Sequence, residues 1–457
     1  MRTTNHAHAG ELDSRASRQT AVLVNVAKIA LLAALAPPVI AGIAERATRI
    51  AGPGEAASIV AMTVSAGAGA AVLGALILGI ACDAGTQSHR TRWLWVAVGA
   101  AVGTAGLLTA AAGDTTPALL GGWTLAQLGY SGAMAVLRTV LVSVERTHRR
   151  RGAVVVVVAA YGGLAIPLLL LIALPGRAWA VTLGLAAAAL LIPLAVLVLF
   201  PPARRGSPLA TAPEPPRTHD RGSAAPPVPA PGPSSFLRSG LSPIRVLALQ
   251  FLSGSVIAAL VAYHPLDLHA RAGSGDFPVS ASSWAAIAAI LGLVAATGVL
   301  YRRPEALGSP RLIVALAGVL LAASLVLRTL SPSPAWIAAA AALSGTAVGL
   351  NNSALLSAAL ETAPERRHGS YIGAFSAAGA LGQVAGPLAG LAVVRAATHG
   401  AALDGGYSAL FLVLAAVAAL CSAAAVIPDP RPRPGRRATA LARPAGALRA
   451  GPEDPAP

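Results

Sequence analysis

Long apolar stretches separated by short polar segments run through this chain. A helix needs about 20 apolar residues to cross a hydrocarbon core about 30 Å thick, and runs long enough to do so occupy residues 21–44, 57–82, 93–113, 117–142, 152–175, 178–200, 244–269, 283–301, 311–329, 335–360, 370–396 and 406–427. A transmembrane β-barrel would instead show short segments of alternating hydrophobicity. The pattern therefore predicts an all-α integral membrane protein with twelve transmembrane helices.

Composition supports a lipid bilayer as the main partner. The mean hydropathy is +0.67, and 11% of the residues are charged, whereas soluble domains carry about 25%. The net charge of +16 could indicate nucleic-acid binding, but that function needs a basic face on a soluble domain. Here the arginines lie between apolar runs, so no nucleic-acid partner is expected.

The distribution of arginine predicts the orientation of the chain. Cytoplasmic loops of membrane proteins are enriched in basic residues, and most arginines fall in the two terminal segments and every second loop. The opposite face receives only Arg46, Arg49, Arg177, Arg271, Arg328 and Arg395. Both termini should therefore be cytoplasmic. Lys28 is the only lysine, a bias typical of GC-rich genomes, and we expect a bacterial plasma (inner) membrane.

A Pro-rich segment divides the chain into two halves. Such a composition cannot build a packed core and is typical of a linker. The predicted organisation is a cytoplasmic tail over residues 1–20, a six-helix lobe over 21–200, a disordered cytoplasmic linker over 201–243, a second six-helix lobe over 244–427 and a basic Pro-rich tail over 428–457.

The ends of the fourth and tenth predicted helices resemble each other. The sequences SVERTHRRRG and ALETAPERRHG each carry a glutamate followed six residues later by an arginine and then a glycine. The matching residues are Glu145, Arg151, Gly152, Glu361, Arg367 and Gly369. Such pairs could form ion-pair locks that hold one access state, or they could be ordinary interfacial charges on a tight turn.

The loop GIACDAGTQSHRTRW after the second helix contains a glycine, an aspartate and a basic cluster, namely Gly79, Asp83, Arg90 and Arg92. This loop resembles the signature of the major facilitator superfamily, in a form similar to that of sugar:cation symporters. The resemblance extends to the six-plus-six plan, the central linker and the segment GQVAGPLAG, Gly382 to Gly390, which is similar to helices used for close packing and bending.

The resemblance implies alternating access, in which two lobes rock about a central site and the Asp83 loop steadies the outward-facing state. The sequence departs from the family pattern at two places. Ala84 follows Asp83 where an arginine is usual, and the corresponding loop of the second half has Leu300 and Tyr301 near the position expected for an aspartate. Only one of the two loop locks is therefore complete.

Ionisable residues within membrane helices are functional candidates by default. Lys28 and Arg138 lie within predicted helices and could bind a substrate or couple its transport, or could snorkel to the cytoplasmic interface. No Asp or Glu lies at the centre of a predicted span, so proton coupling lacks its usual carrier. Glu145, Glu361 or His264 would have to serve, or the protein is a uniporter or uses another ion.

Uncharged polar residues within the spans are further candidates for the substrate pathway: Asn25, Gln127, Tyr130, Tyr161, Gln250, Asn351, Asn352 and Gln383. Amides can bind solute hydroxyls, but they also form structural hydrogen bonds between helices. The pair Asn351 and Asn352 is the strongest candidate for the cavity. Pro37 and Pro38 should kink the first helix, and broken helices often border transport sites.

The sequence predicts a secondary transporter of a small organic solute, coupled to H⁺ or Na⁺ if it is coupled at all. Drug or metabolite efflux by antiport is an alternative, and a non-transporting membrane sensor or scaffold is an alternative of another class. No phosphate-binding loop, HExxH motif or Cys/His cluster is present, so neither an enzyme nor a cofactor or metal site is expected. We expect a monomer without a disulfide between Cys82 and Cys421.

Overall fold

The computed structural model describes residues 3–84, 88–144, 163–199, 241–272, 279–302, 309–330, 333–363, 368–398 and 406–427. Within these ranges the regular secondary structure is helical throughout, with one π-helical turn, Pro38–Gly42. The α-helices are α1 Thr3–Pro37, α2 Ile43–Ala84, α3 His89–Ala112, α4 Thr116–Val144, α5 Ala165–Ala173, α6 Ala178–Leu199, α7 Pro243–Ala272, α8 Val279–Arg302, α9 Pro310–Leu330, α10 Pro334–Thr362, α11 His368–Thr398 and α12 Tyr407–Val426.

Within the described residues, these helices overlap the predicted apolar runs, with differences around the first two. Residues 152–162 of the fifth run lie outside the described residues. The residues predicted as tail 1–20 are helical from Thr3 onward and continuous with the first crossing. The π-helical turn begins at Pro38, so the predicted irregularity of the first helix is present. The predicted loop after residue 44 is largely helical as well. Helical geometry within α2 is interrupted by a kink at Gly52, where φ is +73°, a backbone conformation that favours glycine.

Eight segments of the described chain are long and apolar enough to cross a membrane by their length and composition. They include Pro243–Ala272, Pro310–Leu330 and Tyr407–Val426. This finding supports a multi-pass membrane protein, in agreement with the sequence. The predicted total of twelve crossings remains a prediction, as do the linker 201–243 and the tail 428–457, which lie almost entirely outside the described residues.

The two halves of the chain use the same packing plan. In the first half, α2 and α3 pack on α4, and α1 and α3 pack on α6. In the second half, α8 and α9 pack on α10, and α7 and α9 pack on α12. Each pair recurs with an offset of six helices. Between the halves, α2 packs on α11 and α5 packs on α8, and the same offset exchanges these two pairs. The helices therefore form two related lobes.

Close backbone contacts at glycines hold the helices together within each lobe. Lipid is as apolar as leucine, so helix association in a bilayer depends on close packing rather than on apolar burial. A Cβ atom at Gly106 of α3 would lie 2.6 Å from the Gly122 oxygen of α4. Side chains at Gly382 and Gly386 of α11 would overlap backbone oxygens of α7. This confirms the prediction of close packing for the segment Gly382–Gly390.

Two arginines are buried at one end of the helix bundle. We call the end at which α1, α3, α5, α7, α9 and α11 finish the distal end, and the opposite end the proximal end. Arg46 and Arg328 lie at the distal end. Arg46 follows the predicted run 21–44 and was expected in a loop, and Arg328 lies near the end of the predicted run 311–329. Each lies within a helix and is buried, with exposed fractions of 7% and 4%. The loop expected at Arg46 was wrong because the helix continues past residue 44.

Two neighbouring glycines of α4 allow the packing argument to be tested. A Cβ atom at Gly122 would lie 2.5 Å from the Ala110 nitrogen, whereas one at Gly121 would meet no atom within 4 Å. We expect Gly122→Ala to destabilise the protein by about 1–3 kcal/mol through overpacking. Gly121→Ala should be neutral or slightly stabilising, because alanine is the better helix former.

Thermal unfolding of the two purified variants in detergent would show the difference. Equal unfolding temperatures for Gly121→Ala and Gly122→Ala would contradict the close approach of α3 and α4.

Candidate functional site

A cavity of about 410 Å³ opens between α7, α8, α9 and α10. The first half of the chain contributes Val39 and Ile40 of the π-helical turn and Leu164, next to the start of α5. The walls are mainly aliphatic. The polar or charged side chains that line the cavity are His264, Ser324, Arg328, Ser344 and Asn352. The cavity is therefore an apolar space at the junction of the two lobes with a small number of polar groups.

Arg328 is held at the distal side of this cavity by a buried carboxylate. Its Nη2 and Nε atoms donate to Asp267 Oδ2 at 2.7 Å and 3.1 Å, and Nη2 also lies 3.3 Å from the His264 carbonyl oxygen. The guanidinium stacks 4.7 Å from the ring centroid of Phe411. Asp267 Oδ1 accepts a hydrogen bond from Arg271 Nε at 2.7 Å, which forms a second ion pair. Two arginines thus share one fully buried aspartate.

The spacing of residues along α7 explains this cluster. His264, Asp267 and Arg271 lie three and four residues apart, so they share one helix face, and that face meets Arg328 of α9. His264 is among the candidates expected from the sequence, whereas Asp267 is not, because Asp267 lies near the end of a predicted span rather than at its centre. Arg328 was the available signal, because an arginine in an otherwise apolar helix requires a buried counter-charge.

The N-terminal lobe contains a related cluster at the same end. Arg46, in the first turn of α2, forms an ion pair with Asp114 at the end of α3 and lies 5.7 Å from the ring centroid of Trp179 in α6. Each lobe therefore has an arginine, a carboxylate and an aromatic ring at its distal end. The clusters differ in burial, because the Asp114 side chain is 80% exposed and Asp267 is fully buried.

Hydrogen-bond donors remain available on the cavity wall. Arg328 Nη1 forms no hydrogen bond within the described part of the chain. The Nε2 atom of His264 is buried and likewise has no partner among the described residues, and Asn352 is exposed to the cavity. The hydroxyls of Ser324 and Ser344 already donate to backbone oxygens of their own helices. The site can therefore enclose an apolar group and donate hydrogen bonds to a polar one.

A distal latch, consisting of Glu55, Ser58 and Arg395, joins the lobes. Arg395 Nη2 donates to Ser58 Oγ at 2.9 Å and lies 4.0 Å from the Glu55 carboxylate. Nearer the middle of the bundle, Ser65 Oγ donates to the Val384 carbonyl oxygen at 2.8 Å. Both contacts connect α2 with α11. The lobes are thus hydrogen-bonded to each other from the distal end to near the middle of these helices.

The structure separates the predicted pair Asn351 and Asn352. Asn352 lines the cavity as expected. Asn351 is buried on another face of α10, where it borders a much smaller space beside Ser253 and Cys421. The two residues are adjacent in the helix and therefore point about 100° apart, so only one of them can face the cavity.

Several other predicted pathway residues take part in packing between or within helices. Gln127 packs over Gly67, and Gln250 packs over Gly379. Tyr130 is buried, and its hydroxyl lies 3.0 Å from Thr104 Oγ1. These residues, together with Asn25, Lys28, Arg138 and Gln383, do not line the cavity. Asn25 donates to the Ala21 oxygen at 2.9 Å, Lys28 is half-buried, and Arg138 and Gln383 are exposed. A pathway role for any of these residues remains a prediction, and Tyr161 lies outside the described residues.

Most of the predicted locks also remain predictions. A Cβ atom at Gly79 would meet no atom within 4 Å, so close packing does not require glycine there in this conformation. Arg90 is exposed and Arg92 half-buried at the start of α3, and Glu361 is exposed at the end of α10. The side chain of Asp83, residues Glu145, Arg151, Gly152 and Arg367, and the surroundings of Gly369 lie outside the described residues.

Comparison with known proteins identifies relatives of this chain. A family model described as Major Facilitator Superfamily matches residues 21–387 and 307–452. The structure is similar to that of the nucleoside transporter NupG, with a TM-score of 0.63 and 15% identity over 89% of this chain and 98% of the other. A bacterial homologue of the human lysosomal transporter Spinster, in an inward-facing and occupied conformation, gives 0.65 and 12% over 89% and 96%.

The human organic anion transporter MFSD10 is also similar, with a TM-score of 0.54 and 18% identity over 90% of this chain and 99% of the other. A search of curated protein sequences finds no match. At these identities, the structural similarities establish the fold.

The two arginine clusters predict different responses to removal of their carboxylates. Asp267→Ala leaves Arg328 buried without a counter-charge, which should cost about 3–5 kcal/mol of stability. Asp114→Ala removes an exposed partner and should cost much less, because water screens that ion pair.

Unfolding temperatures of the two purified variants would test this comparison. An unfolding temperature for Asp267→Ala equal to or above that of Asp114→Ala would show that Asp267 is not the main support of Arg328.

Proposed function

We propose a transport route for this chain, which belongs to the Major Facilitator Superfamily and is a secondary transporter: a small amphipathic organic solute crosses through the cavity beside Arg328 and Asn352. The cavity carries this proposal. Its volume of about 410 Å³ lies within the roughly 300–1,000 Å³ of typical small-molecule sites. Aliphatic walls suit an apolar body, and the few polar groups suit one hydrogen-bonding end.

The position of the cavity supports alternating access. Residues of both lobes line it, namely Ile40 and Leu164 from the first and His264 and Asn352 from the second. Relative motion of the lobes would therefore change its walls and its access. The distal latch joins α2 to α11 at one end of the bundle. We propose that breaking of the Arg395 contacts to Ser58 and Glu55 accompanies opening at that end.

The predicted locks belong to the opposite end. Asp83, Glu145, Arg151, Glu361 and Arg367 lie at or near the proximal ends of their helices in the sequence. We propose that this end faces the cytoplasm of a bacterium, with both termini inside the plasma membrane, and that these residues hold the route closed when the distal end opens. The biased distribution of loop arginines supports this orientation.

The nature of the coupling follows partly from the buried charges. Asp267 is the fully buried carboxylate of the C-terminal cluster, and both of its oxygens accept hydrogen bonds from arginines. We therefore do not assign it as a proton carrier. The protein is proposed to act as a monomer, and uptake and efflux, with H⁺, Na⁺ or no coupling ion, are distinguished by the flux measurement below.

The solutes named for two of the similar structures belong to the same general chemical kind as the solute proposed for this cavity. One is a nucleoside transporter and another an organic anion transporter by their descriptions. Nucleosides and organic anions are both small organic molecules that combine a ring or chain with polar groups. A first panel of solutes for this chain should therefore contain both classes, together with sugars.

The transport route can be tested with two neighbouring alanines of α8. Ala289 lines the cavity, whereas Ala288 lines a separate surface groove beside Trp284 and Leu291. We expect Ala289→Phe to fill the cavity and reduce flux at least tenfold. Ala288→Phe adds the same side chain outside the cavity and should leave flux within about twofold of the wild type, as expected for a change away from the route.

Flux of a panel of radiolabelled solutes should be measured in proteoliposomes under imposed pH and Na⁺ gradients. Solute movement that Ala289→Phe leaves intact would contradict the proposed route. Absence of flux for every solute in the panel would favour a non-transporting sensor or scaffold.

A further inference from the structure

We propose that Arg328 forms a subsite for one anionic group of the transported solute, so that the substrate class is small amphipathic monocarboxylates. This inference rests on the proposed function, because it assigns a chemical class to the solute in the same cavity. It follows from the charge of the Asp267 cluster, the orientation of the Arg328 guanidinium and the donors around it.

Among the described residues, the cluster carries more positive than negative charge. Asp267 contributes one negative charge, and Arg271 and Arg328 contribute two positive charges, which leaves a net charge of +1. In the described part of the chain, no aspartate or glutamate lines the cavity. A buried charge without compensation is costly. A solute anion beside Arg328 would neutralise the cluster and would gain a charge-assisted contact away from bulk water.

The guanidinium is oriented for such a contact. Its Nε and Nη2 atoms donate to Asp267, and Nη2 also donates to the His264 carbonyl oxygen. Nη1 is therefore the guanidinium nitrogen without a partner in the described part of the chain. Hydrogen bonds from a guanidinium to a carboxylate are charge-assisted and stronger than neutral ones. The contact with Phe411 at 4.7 Å holds the plane of the group. Arg328 is thus fixed by one edge and one face, and it lines the cavity with Nη1 left to donate.

Other donors can support the same anion. A carboxylate only accepts hydrogen bonds. The Nε2 atom of His264 has no partner among the described residues, and the Asn352 side chain is exposed to the cavity. The hydroxyl hydrogens of Ser324 and Ser344 are already used. The donors that remain therefore match the requirements of a carboxylate, and the aliphatic walls match an apolar body attached to it.

The contacts of Arg46 resemble those of Arg328, although Arg46 lies outside the proposed subsite. It also forms an ion pair with an aspartate and stacks on an aromatic ring. Unlike Arg328, it does not line the cavity. Arg46 is therefore a matched control, because its replacement removes the same kind of structural contact without changing the proposed anion subsite.

The test compares carboxylates with neutral amides of the same shape. Benzoate and benzamide, phenylacetate and phenylacetamide, and indole-3-acetate and indole-3-acetamide would be titrated against the purified full chain in detergent. Saturable increases in unfolding temperature would report binding. We expect at least one carboxylate to bind ten times more tightly than its amide. Arg328→Gln should abolish this preference, whereas Arg46→Gln should retain it.

Two further variants separate recognition from stability. Asp267→Asn raises the net charge of the cluster from +1 to +2 and should tighten carboxylate binding severalfold, although it weakens the fold. Should Arg328→Gln fail to fold, Asn352→Ala supplies the test, because the Asn352 side chain forms no hydrogen bond within the described part of the chain. This variant should weaken carboxylate binding about threefold or more and reduce the preference for the carboxylate over its amide.

Equal binding of carboxylates and amides, absence of saturable carboxylate binding, or full carboxylate binding by Arg328→Gln would overturn the inference. Flux of neutral solutes that Ala289→Phe blocks, without any preference for carboxylates, would overturn the anion subsite and leave the transport route intact. Carboxylate binding that depends on Arg328 without any flux would instead contradict transport.

Discussion

The distal part of the C-terminal lobe depends on the ion pairs that Asp267 forms with Arg271 and Arg328. These ion pairs allow Arg271 and Arg328 to lie in a bundle that otherwise presents aliphatic side chains. One carboxylate cannot neutralise two guanidinium groups, and one of the two, Arg328, lines the cavity. The same contact that stabilises α7 against α9 therefore also gives the cavity its electrostatic character. Structural support and solute recognition are here properties of one cluster.

The two lobes show how duplication can produce different roles. Both have an arginine stacked on an aromatic ring at the distal end and paired with an aspartate. In the first lobe Asp114 is exposed, so water screens the pair. In the second lobe Asp267 is buried, and its arginine reaches the cavity. Close glycine contacts recur in both lobes and keep the scaffold rigid, which leaves the contacts between α2 and α11 as the natural place for movement.

The fold was largely predictable from the sequence because apolar runs of this length allow only membrane helices. Close packing at Gly382 and Gly386 was expected from the resemblance of their segment to closely packed helices of the family. The site was less predictable than the fold. Asn352 was identified, but its neighbour Asn351 faces another way. Only the rotation of α10 about its axis determines which of the two faces the cavity. Asp267 was overlooked because pairing across α7 and α9 depends on tertiary contact, and a residue near the end of an apolar run gives no sign that it is buried.

The central claim is that the cavity beside Arg328 is a solute route closed at its distal end. Accessibility of Asn352→Cys to a membrane-impermeant maleimide tests it most directly, in a Cys82→Ser, Cys421→Ser background, because both native cysteines are buried and free. Reagent on the side of the proximal end should label this cysteine, and Arg395→Gln should increase labelling from the side of the distal end. With the latch residues unchanged, labelling of Asn352→Cys from the distal side alone, or from neither side, would contradict the claim.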